Sequence, residues 1–363
     1  MCERINTGRQ GELDVAKALA IPYMVIVHVY EEMSVVDYGV RPDSLLRGVI
    51  EFLGGPLAAP VFMFAMGVGM VYTRHRNPRA FALRGLRLLL AGYLLNLVVW
   101  GIPYLLATLR GHLWYGWSWI DSLCMVDILH FAGMSFLLMA LLMRLKVSRY
   151  GIVAVALSLQ ALGTLLLHRF DALPGVARYA VSLVFYTSPN VYFPLSLWFV
   201  YPAFGILFGE FLQTVPDKRK MYKRLALGSA ALLAGVSLVM VLTGWNLLDN
   251  FALADDSYYM QRIPVSLWTL SVIGLQLFIC YRISLCMRGW LQRMTGAVAR
   301  RLNVIYIVQW LIIALSLMVM DIAGLPDVPL QAVVPVGLLI TALSIAISLS
   351  RRISASKRLQ KHE

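Results

Sequence analysis

Ten apolar runs punctuate the chain, at residues 13–30, 50–72, 86–109, 122–143, 152–168, 191–212, 225–243, 263–287, 304–320 and 330–350. A run of ~20 apolar residues crosses a bilayer as a helix, because a helix satisfies its own backbone donors and acceptors where no water can. The pattern therefore predicts an all-α, polytopic integral membrane protein with about ten transmembrane helices. The first run begins close to charged residues and lacks a small-residue cleavage site, so it reads as a retained signal anchor. The stretch 177–187 is also apolar but too short to span, and is expected at the outer surface. No repeat, low-complexity segment or long linker stands out. Residues 1–363 thus read as a single membrane domain, with a cytosolic N-terminus 1–12, a ten-helix core 13–350 and a basic tail 351–363.

Composition agrees with this. Of 363 residues, 60% are hydrophobic and 14% charged, with a mean hydropathy of +0.72. These values exclude a soluble enzyme, a disordered tail and a secreted disulfide scaffold. The net charge of +13 raises nucleic acid as a partner, and the placement of the charges argues against it. One set of alternating loops holds only Arg41, Arg47, Arg110, Arg169, Arg178 and Arg262, leaving 26 of the 32 Lys and Arg to the other side. By the positive-inside rule both termini are cytosolic, in a membrane expected to be the bacterial cytoplasmic membrane. The opposite loops carry Glu31, Glu32, Asp37, Asp43, Asp249, Asp255, Asp256, Asp321 and Asp327. Trp114, Tyr115, Trp117 and Trp119 suit an interfacial belt against lipid, or a surface on which a sugar stacks. The cysteines Cys2, Cys124, Cys280 and Cys286 have no metal-ligand spacing, so no metal is expected and free thiols are.

Ionisable residues inside a membrane are costly and mark functional candidates. Lys17 and His28 in the first run are eleven residues apart, roughly 20° of net rotation and ~16 Å of rise, so they share a helix face. Asp14 and Glu31 flank that face, and Pro22 between them allows a kink. An interfacial ion pair explains Asp14 and Lys17 equally well. His28 has an imidazole suited to proton transfer near neutral pH, or is a histidine bonded to a neighbouring helix. Asp127 and His130 are spaced i,i+3 in the fourth run. They either meet His28 across a shared cavity, with the carboxylate orienting an imidazole, or satisfy each other. Arg84 and Arg87 share a face at the start of the third run, near Arg74, Arg76 and Arg79. Guanidinium groups match phosphate oxygens, and anionic lipid headgroups would attract them too.

Several of these features resemble a known superfamily. Lys17-x10-His28 resembles the Arg-x10-His motif of the acyltransferase-3 family, and Arg84-x2-Arg87 its paired cytosolic arginines. The stretches PVFMFAMGVGMVY, DILHFAGMSF, YFPLSLWFVYPAFGILFG and LNVIYIVQW resemble bacterial relatives of heparan-α-glucosaminide N-acetyltransferase. Both belong to one transmembrane acyltransferase superfamily, and the resemblance runs over residues 13–310. Two departures stand out. Lys17 replaces an arginine, and His28 occupies a position that is usually asparagine in the heparan branch, with no further His before His75. The resemblance implies an acyl-CoA donor, with acetyl-CoA expected, whose phosphates contact Arg84 and Arg87 while Lys17 lies along its path. It implies an extracytoplasmic glycan or similar hydroxyl or amine acceptor, and His28 as general base or transient acyl carrier. Asp127 and His130 would be supporting catalytic groups, and Asp14, Tyr306 and Gln309 would line the cavity. The alternative from another class is a proton-coupled secondary transporter or lipid-linked flippase, with Lys17, His28, Asp127 and His130 as a relay.

Overall fold

The computed structural model describes residues 4–35, 40–109, 118–187, 191–253 and 258–359, with side chains as far as residue 350. Arg110, Trp114, Tyr115, Trp117, Asp37, Asp255, Asp256 and Cys2, together with the side chains of the basic tail, lie outside the described residues. Among the described residues sixteen α-helices follow one another and no strand occurs. They are α1 (Gly11–Met33), α2 (Leu45–Gly54), α3 (Ala59–Tyr72), α4 (Pro78–Asn96), α5 (Ile102–Leu109), α6 (Trp119–Leu123), α7 (Ile128–Arg144), α8 (Arg149–Leu165), α9 (Gly175–Ser182), α10 (Leu195–Trp198), α11 (Val200–Leu212), α12 (Lys218–Leu242), α13 (Ile263–Cys286), α14 (Gly289–Arg300), α15 (Leu302–Ala323) and α16 (Leu330–Leu359).

Eight stretches are helical, long and apolar enough to cross a membrane: Gly11–Met33, Leu45–Tyr72, Pro78–Leu109, Leu195–Leu212, Lys218–Leu242, Ile263–Cys286, Leu302–Ala323 and Leu330–Ser350. The other two predicted runs become the shorter apolar helices α7 and α8, of 17 residues each. The protein is therefore an all-α polytopic membrane protein. Its helix ends follow local chemistry. Asn77 caps α4 by accepting from Ala80 N at 2.8 Å, with Pro78 at the first helical position, where a missing N–H costs nothing. Glu12 and Asp14 sit in the first turn of α1, where the helix dipole favours negative charge. Gly324 ends α15 in the left-handed region at φ 61°, which a side chain would resist.

The chain divides into two compact units. The first comprises Met1–Gly8, Met63–Lys218 and Tyr259–Leu267; the second comprises Arg9–Phe62, Arg219–Tyr258 and Trp268–Glu363. In the first unit, glycines let helix backbones touch. A Cβ on Gly67 of α3 would lie 2.1 Å from the Pro202 carbonyl oxygen of α11, and one on Gly205 would lie 2.1 Å from that of Phe64. Gly85 of α4 and Gly133 of α7 face each other in the same way. Such small-residue crossings are how membrane helices pack closely where apolar burial supplies little driving force.

Some predicted runs differ from the observed elements. Run 122–143 is not one helix: α6 ends at Leu123, Val126 forms an isolated parallel bridge with Val191, and α7 starts at Ile128. The break is held by Asn96, whose amide donates to the carbonyls of Leu123 at 3.1 Å and Met125 at 2.8 Å. Asn96 itself precedes a π-helical turn at Leu97–Gly101 that interrupts the helix of the third run. Run 191–212 becomes helical only from Leu195, after Pro194, because a residue before proline is driven out of the helical region.

In the second unit, α1 is surrounded by α2, α14, α15 and α16. Beside His28 it is gripped from two directions. A Cβ on Gly54 of α2 would lie 2.3 Å from Val27 Cβ, and one on Gly337 of α16 would lie 2.8 Å from Ile26 Cα. The backbone that carries His28 is thus fixed by close packing rather than by its own propensity.

Candidate functional site

His28 sits half-buried on α1, and the second unit supplies its neighbours from one helix, α15. Tyr306, Gln309 and Trp310 lie three and four residues apart or adjacent, so 3.6-residue periodicity puts them on one face. All three are buried. His28 Nδ1 is 3.2 Å from Gln309 Oε1 and 3.0 Å from Gln309 Nε2, so the amide either accepts from the ring nitrogen or donates to it according to tautomer. The imidazole lies over Trp310, with ring centroids 4.4 Å apart and planes tilted by 31°, and Tyr306 presents an edge at 6.3 Å. The arrangement engages one ring nitrogen, Nδ1, and so orients the imidazole.

The end of α1 beyond His28 is locked by a buried polar cluster. Glu51 of α2 accepts from Tyr30 Oη at 2.8 Å, from Arg47 Nε at 2.8 Å and from the Leu253 backbone N–H at 3.2 Å. Arg47 also donates to the Val40 carbonyl at 2.6 Å. At the other end of α1, Asp14 pairs with Arg9, with Lys17 one turn along the same helix. Lys17 is half-buried on the same helix.

The remaining predicted residues belong to the first unit. Asp127 is the N-cap of α7 and does not lie within a continuous span. Its carboxylate accepts from Ile128 N at 2.6 Å, while its own N–H donates to His130 Nδ1 at 3.3 Å. His130 is fully buried, and its Nε2 has no hydrogen-bond partner among the described residues. That nitrogen would be 2.9 Å from a Cβ on Gly92, and the Tyr93 ring meets the imidazole edge-on at 4.4 Å. Aspartate and histidine thus cap the start of α7. Arg84 and Arg87 are exposed on α4, and Arg84 lies over the Phe136 ring at 4.5 Å. Neither makes an ion pair among the described residues, so their donor edges fit an anion; Arg76 is instead paired with Glu210 at 2.6 Å. Cys124 is half-buried, Cys280 buried and Cys286 exposed, and all three are free thiols. Among the described residues no three His, Cys, Asp or Glu side chains converge as metal ligands would.

Sequence reasoning missed Trp310 and Glu51. Both left a signal: Trp310 is i+4 from Tyr306, and Glu51 is i+4 from Arg47 inside an apolar run.

Helices long and apolar enough to span a membrane, one of them carrying a histidine held by an amide, describe an integral membrane protein. The catalytic domain of heparan-alpha-glucosaminide N-acetyltransferase matches over residues 9–244, well over half of the chain, and the chain belongs to that family. Membership makes it a membrane transferase of the acetyltransferase type. No curated protein matches the chain.

Proposed function

We propose that this protein transfers an acyl group, acetyl by family, from a cytosolic acyl-CoA to the hydroxyl or amine of an extracytoplasmic glycan or similar acceptor. Both termini are then cytosolic, as the distribution of Lys and Arg requires, in a bacterial cytoplasmic membrane. The observation that carries the reading is His28, whose imidazole is seated on Trp310 with Nδ1 engaged by Gln309.

With Gln309 accepting from Nδ1–H, Nε2 holds a lone pair and acts as general base. The acceptor O–H or N–H gives its proton to Nε2 while the acceptor atom attacks the thioester carbonyl. The C–S bond breaks, and the departing thiolate takes the proton back from the imidazolium. In the covalent route Nε2 attacks the thioester carbonyl and the C–S bond breaks, releasing the thiolate; the acceptor then attacks the acyl-imidazolium, the C–N bond breaks to restore neutral His28, and the acceptor's proton passes to the thiolate. Gln309 and Tyr306 line the cavity around the ring, and Asp14 helps hold the start of α1. Arg84 and Arg87 contact donor phosphates through paired hydrogen bonds, and Lys17 adds a positive charge for the donor. Asp127 and His130 support the site by fixing the start of α7.

The test is CoA release by the purified protein in liposomes, given acetyl-CoA and a panel of amino and hydroxyl sugars. His28→Ala is expected to lower turnover about 100-fold or more. Retained turnover in that variant overturns the role of His28, and acetyl-CoA-independent, proton-coupled uptake of a sugar would favour a transporter. A burst of thiol release without acceptor selects the covalent route.

A further inference from the structure

Between α13 and α15 the chain does not turn directly but runs through α14, a helix of 12 residues, GWLQRMTGAVAR, with no acidic residue. At ~100° per residue, Ala297, Trp290, Met294, Val298 and Leu291 fall within one arc of about 120°. Three of these, in its first two turns, are open: Trp290 is 67%, Leu291 44% and Met294 40% exposed, whereas Val298 further along is buried. Arg293 and Arg300, both exposed, line one edge of the arc.

The opposite side is pinned to the protein. Gly296 and Ala299 are buried there. Arg9 donates to the Gly296 carbonyl at 2.6 Å while also pairing with Asp14 of α1. A Cβ on Gly296 would stand 2.6 Å from that guanidinium.

Only Met287 and Arg288 separate α14 from α13, and only Arg301 separates it from α15. Both neighbours are long and apolar enough to cross the membrane, so α14 sits where two spans emerge. An open apolar arc at that level faces lipid. Arginines on its edge reach headgroups, and their charge selects anionic ones.

We propose that α14 lies in the membrane plane as an interfacial anchor, with Trp290, Leu291 and Met294 among the acyl chains and Arg293 and Arg300 on anionic phospholipid headgroups. This rests on the spans and not on acyl transfer.

The full-length protein is placed in nanodiscs of phosphatidylcholine containing a minor fraction of phosphatidylglycerol. Bromine is carried either by the phosphatidylglycerol chains or by an equal fraction of the phosphatidylcholine. The difference between wild type and Trp290→Phe isolates the emission of Trp290. Quenching is expected in both mixtures, about twofold stronger with brominated phosphatidylglycerol. Arg293→Gln with Arg300→Gln is expected to equalise the two while quenching persists. Absence of quenching in wild type overturns the anchor, and equal quenching overturns its anionic selectivity. A preference that survives the double substitution overturns the assignment to these arginines. Hydrogen exchange of residues 289–300 in wild type gives a second readout that needs no variant. Added phosphatidylglycerol is expected to slow it, and an unchanged rate overturns the proposal.

Discussion

Glu51 has no exposed surface, and Arg47 beside it is 7% exposed. Burying such a pair costs desolvation on both sides, and its geometry is what makes it tolerable: each carboxylate oxygen and the guanidinium have partners. Removing the Glu51 charge leaves Arg47 to the exposed carboxylate of Asp43, at 4.0 Å. Glu51→Gln, which keeps the shape, is expected to cost about 3–5 kcal/mol in unfolding free energy. Reversible denaturation in detergent measures it, and a change near zero would show that Arg47 finds another partner. Asp121 offers a pH-dependent counterpart outside the spans. Burial pushes its carboxyl up, but the bonds from Ser118 and Tyr179 and the charge of Arg178 outweigh this and hold it below its ordinary value of 3.8. A carboxyl lowered by folding contributes stability that is complete above its unfolded pKa and is lost as pH falls through the folded one. The thermal midpoint should therefore drop on acidification below pH about 4, and Asp121→Asn should reduce that drop. Neither residue stood out among the apolar runs, since a single carboxylate's worth depends on partners far along the chain.

At the scale of elements, glycine positions decide which helices touch. Gly67→Ala is expected to destabilise the protein by about 1–3 kcal/mol, because its Cβ would collide with backbone rather than with a side chain that can move. Gly69→Ala, two residues along the same helix with nothing within 4 Å of its Cβ, should stay within roughly 0.5 kcal/mol. Thermal unfolding of the pair separates a packing effect from a propensity effect, and equal midpoints would refute the crossing. The ten apolar runs locate the helices well, because hydropathy reports the bilayer directly. They miss the interruption before α7. Hydropathy averages over the polar Asp127, whereas the backbone responds to its capping bonds and to the Asn96 amide reaching across from another helix.

At the scale of the whole molecule, the imbalance of Lys and Arg sets orientation. Cys286, exposed at the end of α13, is expected on the cytosolic side and position 168, between α8 and α9, on the outer side. A membrane-impermeant maleimide should label His168→Cys in intact cells when the native cysteines are replaced. It should label Cys286, kept as the lone thiol, only after permeabilisation. The reversed pattern would refute the orientation and with it the side from which the acceptor enters.

The sequence alone determined that the chain is helical and membrane-spanning, and pointed to His28, because bilayer length and the cost of an intramembrane imidazole are local properties. It also held the resemblance that the family match supports. The resemblance also named Tyr306 and Gln309; what only the tertiary structure decided is how the imidazole is held, with Gln309 at Nδ1 and Trp310 against the ring face. Gln309 and Trp310 lie some 280 residues away, and they meet His28 because α15 packs beside α1. The same packing brought Arg9 to Asp14. Asp127 and His130 cap the start of α7 through bonds between neighbouring residues. Pairing across such distances follows from which helix faces interlock, and no periodicity along the chain encodes it.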